Sequence, residues 1–387
     1  MWFIPLTRDN PYRLGRSLSE LKTELMRRVR GRLMPIAGVP EADAQAVIDS
    51  VDTLERDAWA QAWAARGDLH LQRADALVTT DAAAAREAYR LAWRLFHYAR
   101  WPVENTPFKR YVYPRALAAF RNYGRLLDPV MEMVRIPHDN QVITAYLRIP
   151  KGSTRAPLVI GISGLDSRKE DVMALGDAYL ARGMALLAID MPGTGEAPLK
   201  LASGAEKMFS AVLDWVSARK DLDASRVAVQ GRSWSGYWAA LLAVAERERL
   251  RGAVMHGGPI HHYFKPQWLE PSLESHEYLY DYLPATAALF GVETLDEVLA
   301  AAPAYSLQSR GYLKQRAAPL LLVNGARDSQ IPIADVELLA ATYPDSAVWI
   351  NPEGGHMGRS AQWSGQRIFA EVTAPWLEQT LEISSVR

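Results

Sequence analysis

The sequence predicts an α/β protein, in which an all-helical N-terminal region precedes a mostly parallel sheet flanked by helices. Two changes of period point to it. Through the first third, apolar residues recur every three or four positions, as on a helix with one buried face. Beyond about Leu127 the period drops to two, and then gives way to short runs that are apolar throughout, as expected of strands covered on both faces. A length of 387 residues accommodates a core and a second substantial region.

Taken in order, helical spacing covers Leu18 to about Met34 and Glu41 to Leu77. Asp81 to Tyr98 (DAAAAREAYRLAWRLFHY) adds a run of Ala, Leu and Arg, the strongest helix formers. The segment WPVENTP, residues 101–107, carries two prolines and predicts a break, with helix resuming at about Pro114 and running to Tyr123. These elements define a helical domain, residues 1–127, and leave 128–387 for the sheet. Val130–Pro137 and Gln141–Pro150 alternate and are joined by His138-Asp139-Asn140, a hairpin signal. Apolar runs follow at Leu158–Ser163, Met184–Asp190, Val227–Gly231, Gly252–His256, Leu320–Asn324 and Val348–Asn351. The interval 259–318 is too long for a simple crossover and predicts an insertion above the sheet ends.

Lys+Arg and Asp+Glu balance at 44 each, which argues against a phosphate-tracking groove and hence against nucleic acid as partner. There is no cysteine, so disulfides, thiolate metal sites and a cysteine nucleophile are excluded. MWFIPLTRDNPYRLG does not read as a secretory leader, and no apolar run approaches the ~18–20 residues that span a bilayer. A cytoplasmic protein without membrane association is expected. The expected partner is a small-molecule substrate, and a homodimer is left open.

The chemistry concentrates at strand ends. Arg226–Gln230 runs into Gly231-Arg232-Ser233-Trp234-Ser235-Gly236 and then a helix-like YWAALLAVAERERL. A serine at the apex of a strand–turn–helix is close to the G-x-S-x-G elbow, in which a sharp turn lifts the serine oxygen clear and the next backbone N–H faces the developing oxyanion. Ser235 stands where the second glycine would be. Reading Ser235 itself as nucleophile fits less well, since it puts Ser233 and Tyr237 in the small-residue positions. Alone, the hexapeptide would also suit an ordinary Gly/Ser-rich turn, so its context decides.

That context is a nucleophile–acid–histidine order. Among eight histidines only His356 lies beyond the last strands, in Asn351-Pro352-Glu353-Gly354-Gly355-His356-Met357-Gly358. Asp328 follows the strand Leu320–Asn324 and could fix the histidine tautomer. Glu353, on the histidine's own loop, ranks below it. The loop Gly164-Leu165-Asp166-Ser167-Arg168-Lys169-Glu170-Asp171 is placed to supply a second oxyanion N–H, assigned to Leu165, alongside that of Trp234. Asp190-Met191-Pro192-Gly193-Thr194-Gly195 reads as a fold-closing turn. His261 and His262 are adjacent and do not make a metal spacing, and no cofactor is implied.

Together with the elbow, the stretches GLDSRKED, DMPGTGEA, GGPIHHYF, NGARD…GGH and WPVENTPFKRYVYPRALAAF resemble one branch of the α/β-hydrolase family. That branch holds 2,6-dihydroxypseudooxynicotine hydrolase, fungal yellowish-green pigment hydrolases that shorten polyketides, and the fermentation/respiration switch protein. The resemblance implies an α/β-hydrolase core with an N-terminal helical lid that caps the sheet and encloses the substrate. It implies Ser233, Asp328 and His356 as triad, with oxyanion donors at Leu165 and Trp234. The chemistry it implies is hydrolysis of a C–C bond beside a ketone; the same residues would serve a carboxylesterase or thioesterase. A non-catalytic binding or regulatory protein is the reading from another class. Substrate-pocket candidates are Trp101, Tyr111, His256 and His262, with Phe108 and Tyr113 adding to the aromatic connector.

Overall fold

Eight strands make one sheet in the computed structural model, which describes residues 16–383. They are β1 (Glu132–His138), β2 (Gln141–Arg148), β3 (Ala156–Ile162), β4 (Ala185–Ile189), β5 (Leu222–Arg232), β6 (Gly252–His256), β7 (Leu320–Gly325) and β8 (Ala347–Asn351). Their order is β1-β2-β4-β3-β5-β6-β7-β8. β2 pairs antiparallel with β4, and every pairing from β4 through β8 is parallel. The turn after β1 places Asp139 at φ 50, a left-handed conformation that aspartate tolerates better than most residues.

The all-apolar runs become the interior of this sheet. β3, β4, β6 and β7 are buried at every position, whereas the edge strand β8 alternates and exposes Val348 and Ile350. All six apolar runs become strands, five of them at or within two residues of the predicted bounds; the sixth, β5, begins five residues before Val227. Because the parallel strands share a direction, the loops after β3, β5, β6, β7 and β8 emerge at one end, where open α/β sheets carry their ligands.

The chain forms two compact units. One takes in the described residues through Glu132 together with Leu279–Ala288; the other comprises Met133–Tyr278 and the chain from Leu289 onward. The helical unit contains α1 (Leu18–Arg30), α2 (Glu41–Ser50), α3 (Arg56–Leu77), α4 (Ala82–Arg100) and α5 (Pro107–Arg125). The predicted helical stretch from Glu41 to Leu77 is interrupted at 51–55, where Val51 is extended and Glu55 caps α3 by accepting the Asp57 and Ala58 N–H groups. α5 begins seven residues before the predicted Pro114. Thr106 accepts the Lys109 N–H and Pro107 occupies the first turn, so the proline read as a breaker is a helix starter. Pro114 then sits inside the helix and leaves the Arg110 carbonyl without its usual donor. Burial of Val112, Ala116, Leu117 and Phe120 on the same helix offsets that cost.

Leu279–Ala288, drawn from the middle of the long interval 259–318, joins the helices through charge and aromatic packing. Arg56 grips Asp281 with Nε on Oδ2 at 2.6 Å and Nη2 on Oδ1 at 2.7 Å, both side chains buried. Its guanidinium lies 4.6 Å from the Tyr280 ring, and Trp101 meets the same ring edge-on at 4.8 Å. Lys109 Nζ stands 3.8 Å from Asp281 Oδ2, and burial lowers this lysine to about 8. Removing one member of a buried ion pair strands the other, so Asp281→Ala is expected to cost about 3–5 kcal/mol. Chemical denaturation reads this directly; an unchanged midpoint would show that the Asp281 ion pair contributes little.

Among the described residues no helix is long and apolar enough to cross a membrane. The stretch Met1–Gly15, read above for a leader, lies outside the described residues.

Candidate active site

The end of β5 is bent by the need to present one side chain. After Arg232 the chain passes through a tight turn, Ser233–Ser235, into the helix Gly236–Ala245. Ser233 lies at φ 56, the strained left-handed conformation of a nucleophile elbow. Gly231 is obligatory here, because a Cβ on it would run into the Ser235 carbonyl. Gly236 touches backbone on the other side; its Cβ would fall 2.6 Å from Gly258 Cα in the loop after β6. Ser235 is wholly buried and its Oγ faces backbone groups, accepting the Arg232 N–H at 2.8 Å and standing 2.8 Å from the Ile162 carbonyl. It supports the turn, and Ser233 is the residue that the turn presents.

Ser233 Oγ lies 2.7 Å from His356 Nε2, and His356 Nδ1 lies 2.8 Å from Asp328 Oδ2. An ionised carboxylate only accepts, so Nδ1 carries the proton and Nε2 is left to accept from the serine. The other Asp328 oxygen accepts the Gln330 N–H at 2.8 Å and the Ile331 N–H at 3.0 Å, which fixes the carboxyl plane. Asp328 and His356 are both buried, 4% and 3% exposed. Glu353 points elsewhere: it pairs with Arg327 at 2.6 Å, both side chains largely exposed.

The histidine loop is held from three sides. Asn324, at the end of β7, accepts the Met357 N–H at 3.0 Å. His256, at the end of β6, donates from Nε2 to the Met357 carbonyl at 2.9 Å. Burial, aided by the positive charge of Arg232, lowers His256 to about 3, so the ring stays neutral and its one N–H is committed to this bond. The third support is Glu277, whose Oε1 accepts the His356 backbone N–H. Its Oε2 accepts the Ser329 N–H at 3.2 Å and the Ser329 Oγ–H at 2.8 Å. One carboxylate thus ties the loop bearing His356 to the residue after Asp328. Nothing in sequence announces Glu277, which lies 79 residues from His356. Truncation to Ala is expected to lower kcat on the order of tenfold by unpinning the imidazole, since bonds to a charged group are worth about 1.5–3 kcal/mol. Steady-state rates alongside melting curves check this, and unchanged kcat would make the clamp dispensable.

The loop after β3 lies against the elbow. A Cβ on Gly164 would come 2.9 Å from the Arg232 carbonyl and 3.3 Å from Ser233 Cβ, so the residue before Leu165 packs closely against the elbow. Trp234, the other oxyanion candidate, follows Ser233 directly and is buried against Tyr237, ring centroids 5.3 Å apart. A buried charge network anchors this loop to the turn after β4. Asp190 accepts the Lys169 N–H at 2.7 Å, the Ser163 Oγ–H at 3.1 Å and the Glu196 N–H at 3.0 Å. Lys169 Nζ meets Glu170 at 3.0 Å, Asp190 at 3.0 Å and Glu196 at 2.7 Å. Burial pushes the Glu170 carboxyl up, against the pull of Lys169. Burial opposes the Asp190 charge too, yet Lys169 and Arg168 hold that carboxyl below its usual range. GLDSRKED and DMPGTGEA are therefore two halves of one buried network.

The His262 N–H donates to Asp335 Oδ1 at 2.6 Å, one of four consecutive N–H groups, Ile260 to Tyr263, that this buried carboxylate accepts. That fan shapes the GGPIHHYF loop. His262 also lines a cavity of about 410 Å³ with Lys265, Trp268, Asp328 and Ile333. Trp101 is 2% exposed within the helical unit, whereas Tyr111 is 59% exposed on it. Among the described residues no group of acidic and histidine side chains is set to hold a metal ion.

Comparison with known proteins agrees with the fold. The family described as "Esterase FrsA-like" matches residues 32–351. Esterase FrsA of Vibrio vulnificus (strain YJ016) is 26% identical over 300 residues, 76% of this chain and 70% of that protein. The 2,6-dihydropseudooxynicotine hydrolase of Paenarthrobacter nicotinovorans is 30% identical over 235 residues, 59% of this chain and 60% of that protein. A crystal structure of 2,6-dihydroxy-pseudo-oxynicotine hydrolase superposes with a TM-score of 0.76 at 25% identity, covering 91% of this chain and 96% of that one. The branch recognised from GLDSRKED and GGPIHHYF is thereby shown, and the chain is an enzyme of the α/β-hydrolase superfamily that belongs to the FrsA-like esterase family.

Proposed function

We propose that the protein is a serine hydrolase in which Ser233 is the nucleophile, His356 the base and Asp328 the acid that orients it. The observation that carries this reading is the continuous chain from Ser233 Oγ through the imidazole to Asp328, with links of 2.7 and 2.8 Å. His356 Nε2 takes the serine proton as Oγ adds to the substrate carbonyl. The backbone N–H groups of Leu165 and Trp234 hold the oxyanion. Collapse breaks the bond to the leaving group, which receives the proton from His356. Water, deprotonated by the same imidazole, then releases the acid and restores Ser233.

The proposed substrate class is a ketone flanked by a carbon able to leave as a stabilised carbanion, such as a β-diketone or polyketide-like chain. This follows from the branch resemblance carried by GLDSRKED and GGPIHHYF. An ester or thioester with a bulky acyl group is the second reading, favoured by the FrsA esterase relationship and by the easier departure of alkoxide or thiolate. In either case the helical unit is assigned the part of a lid that excludes water from the reacting carbonyl. The partner is a small molecule.

A product-resolved screen of β-diketones against bulky esters separates the two substrates. Carbon–carbon cleavage exceeding ester turnover supports the first, and ester turnover alone overturns it. A ligand trapped on Ser233 tests the lid: contacts with residues before Leu127 are expected, and a ligand touching none of them contradicts that part.

A further inference from the structure

The β3–β5 ladder ends beside the elbow. The two strands pair in parallel through Ile162 and Gly231, so the next ladder bond in line would run from the Arg232 N–H to the Ile162 carbonyl. The Ser235 hydroxyl bonds to both of these groups. It accepts the Arg232 N–H at 2.8 Å and lies 2.8 Å from the Ile162 carbonyl and 2.9 Å from the Arg232 carbonyl, to which its single proton is directed in turn. The side chain is wholly buried, so no solvent competes for these groups.

We infer that Ser235 is a positioning residue: its hydroxyl is a spacer spliced into the end of the β3–β5 ladder that sets the distance between the Ser233 nucleophile and the oxyanion loop. This rests on the serine-hydrolase reading above. Both sides of the splice lead to the reacting atoms. Arg232 is followed at once by Ser233, and Ile162 by Ser163, Gly164 and Leu165. Gly164 already packs against the Arg232 carbonyl and Ser233 Cβ, with room for no side chain. Without the hydroxyl, the Arg232 N–H and Ile162 carbonyl must either close on each other, drawing the elbow toward β3, or remain buried and unpaired. Either outcome moves Ser233 against the Leu165 N–H. The bond between Ser233 and His356 involves neither group, so the base stays intact. A glycine at 235 differs from an alanine in one respect that matters: it leaves space for a water in place of Oγ, whereas a methyl group fills it.

The test compares Ser235→Ala, Ser235→Gly and the parent, full length, by reaction with a fluorophosphonate. Its phosphoryl oxygen occupies the oxyanion position as Ser233 Oγ forms the P–O bond and fluoride leaves. Ser235→Ala is expected to lower the maximal inactivation rate by about tenfold or more, with half-saturating concentration changed less than about twofold, as for an interaction made only in the transition state. Its pH profile should keep the parent's midpoint, and Ser235→Gly should regain part of the rate. An Ala variant reacting at the parental rate, or a Gly variant no faster than Ala, overturns the spacer. A shifted pH midpoint also overturns it, because that assigns the effect to His356. If Ser235→Ala does not fold, amide exchange of Arg232 in Ser235→Gly decides: continued slow exchange supports a water in the hydroxyl's place, and fast exchange overturns it. A parent that does not react at all is a different failure, and removes the nucleophile assignment itself.

Discussion

Ser233→Ala is expected to abolish turnover while leaving the fold intact, with a loss in kcat approaching about 10⁶-fold as in a serine-protease triad. The serine oxygen is the atom that must form the new bond, and its removal leaves the imidazole with nothing to deprotonate. Replacement is structurally mild. The elbow is held by Gly231, Ser235 and Gly236, whose contacts do not involve the Ser233 hydroxyl. That hydroxyl bonds to His356 Nε2 at 2.7 Å. His356→Ala should lose a comparable amount, and the double variant little more than either alone, because the residues act as one unit. Burst and steady-state kinetics on any accepted substrate would show this. Near-parental turnover in Ser233→Ala would end the assignment.

Asp328→Asn is expected to lose on the order of 10⁴ in kcat even though the two side chains are nearly the same size. The geometry gives a specific reason. Asp328 Oδ1 accepts two backbone N–H groups, from Gln330 and Ile331, a place that only the amide oxygen could fill. The amide nitrogen is then forced toward His356 Nδ1, at the position of Oδ2. Two donors cannot face each other, so the imidazole must shed its Nδ1 proton and carry it on Nε2, where it can no longer accept from Ser233. Glu353→Gln, on an exposed pair with Arg327, should leave kcat unchanged. The opposite ranking of these two variants would mean that the acid is misassigned.

Much of this site was legible in the sequence because the chemistry sits at strand ends, and strand ends are marked by the passage from apolar runs to Gly-rich loops. Ser233, Asp328 and His356 each follow such a run, and the structure brings the three into one hydrogen-bonded line. The sheet itself was legible for the same reason, since strands buried on both faces leave unbroken Val, Leu, Ile and Ala segments. What escaped is what depends on distant partners. Glu277 is an ordinary acidic residue in an aromatic stretch until the fold brings it to the His356 N–H. Asp335 similarly becomes the centre of the GGPIHHYF loop only by tertiary contact. Local rules also misled in one place. Two prolines near α5 read as a break and a restart, whereas the Thr106 cap and packing along the helix carry it from Pro107 across Pro114. Ser235 carries the reverse lesson: as a departure from the glycine pattern it weakened the elbow in sequence, but its hydroxyl is bonded into the elbow in structure.

Whether Ser233 is the nucleophile is decided most directly by treating the full-length protein with a fluorophosphonate and mapping the modified peptide by mass spectrometry. A single phosphonyl group on Ser233, lost in Ser233→Ala and slowed in Asp328→Asn, is the predicted result. An adduct on another residue, Ser235 included, or one that persists in Ser233→Ala, would contradict it.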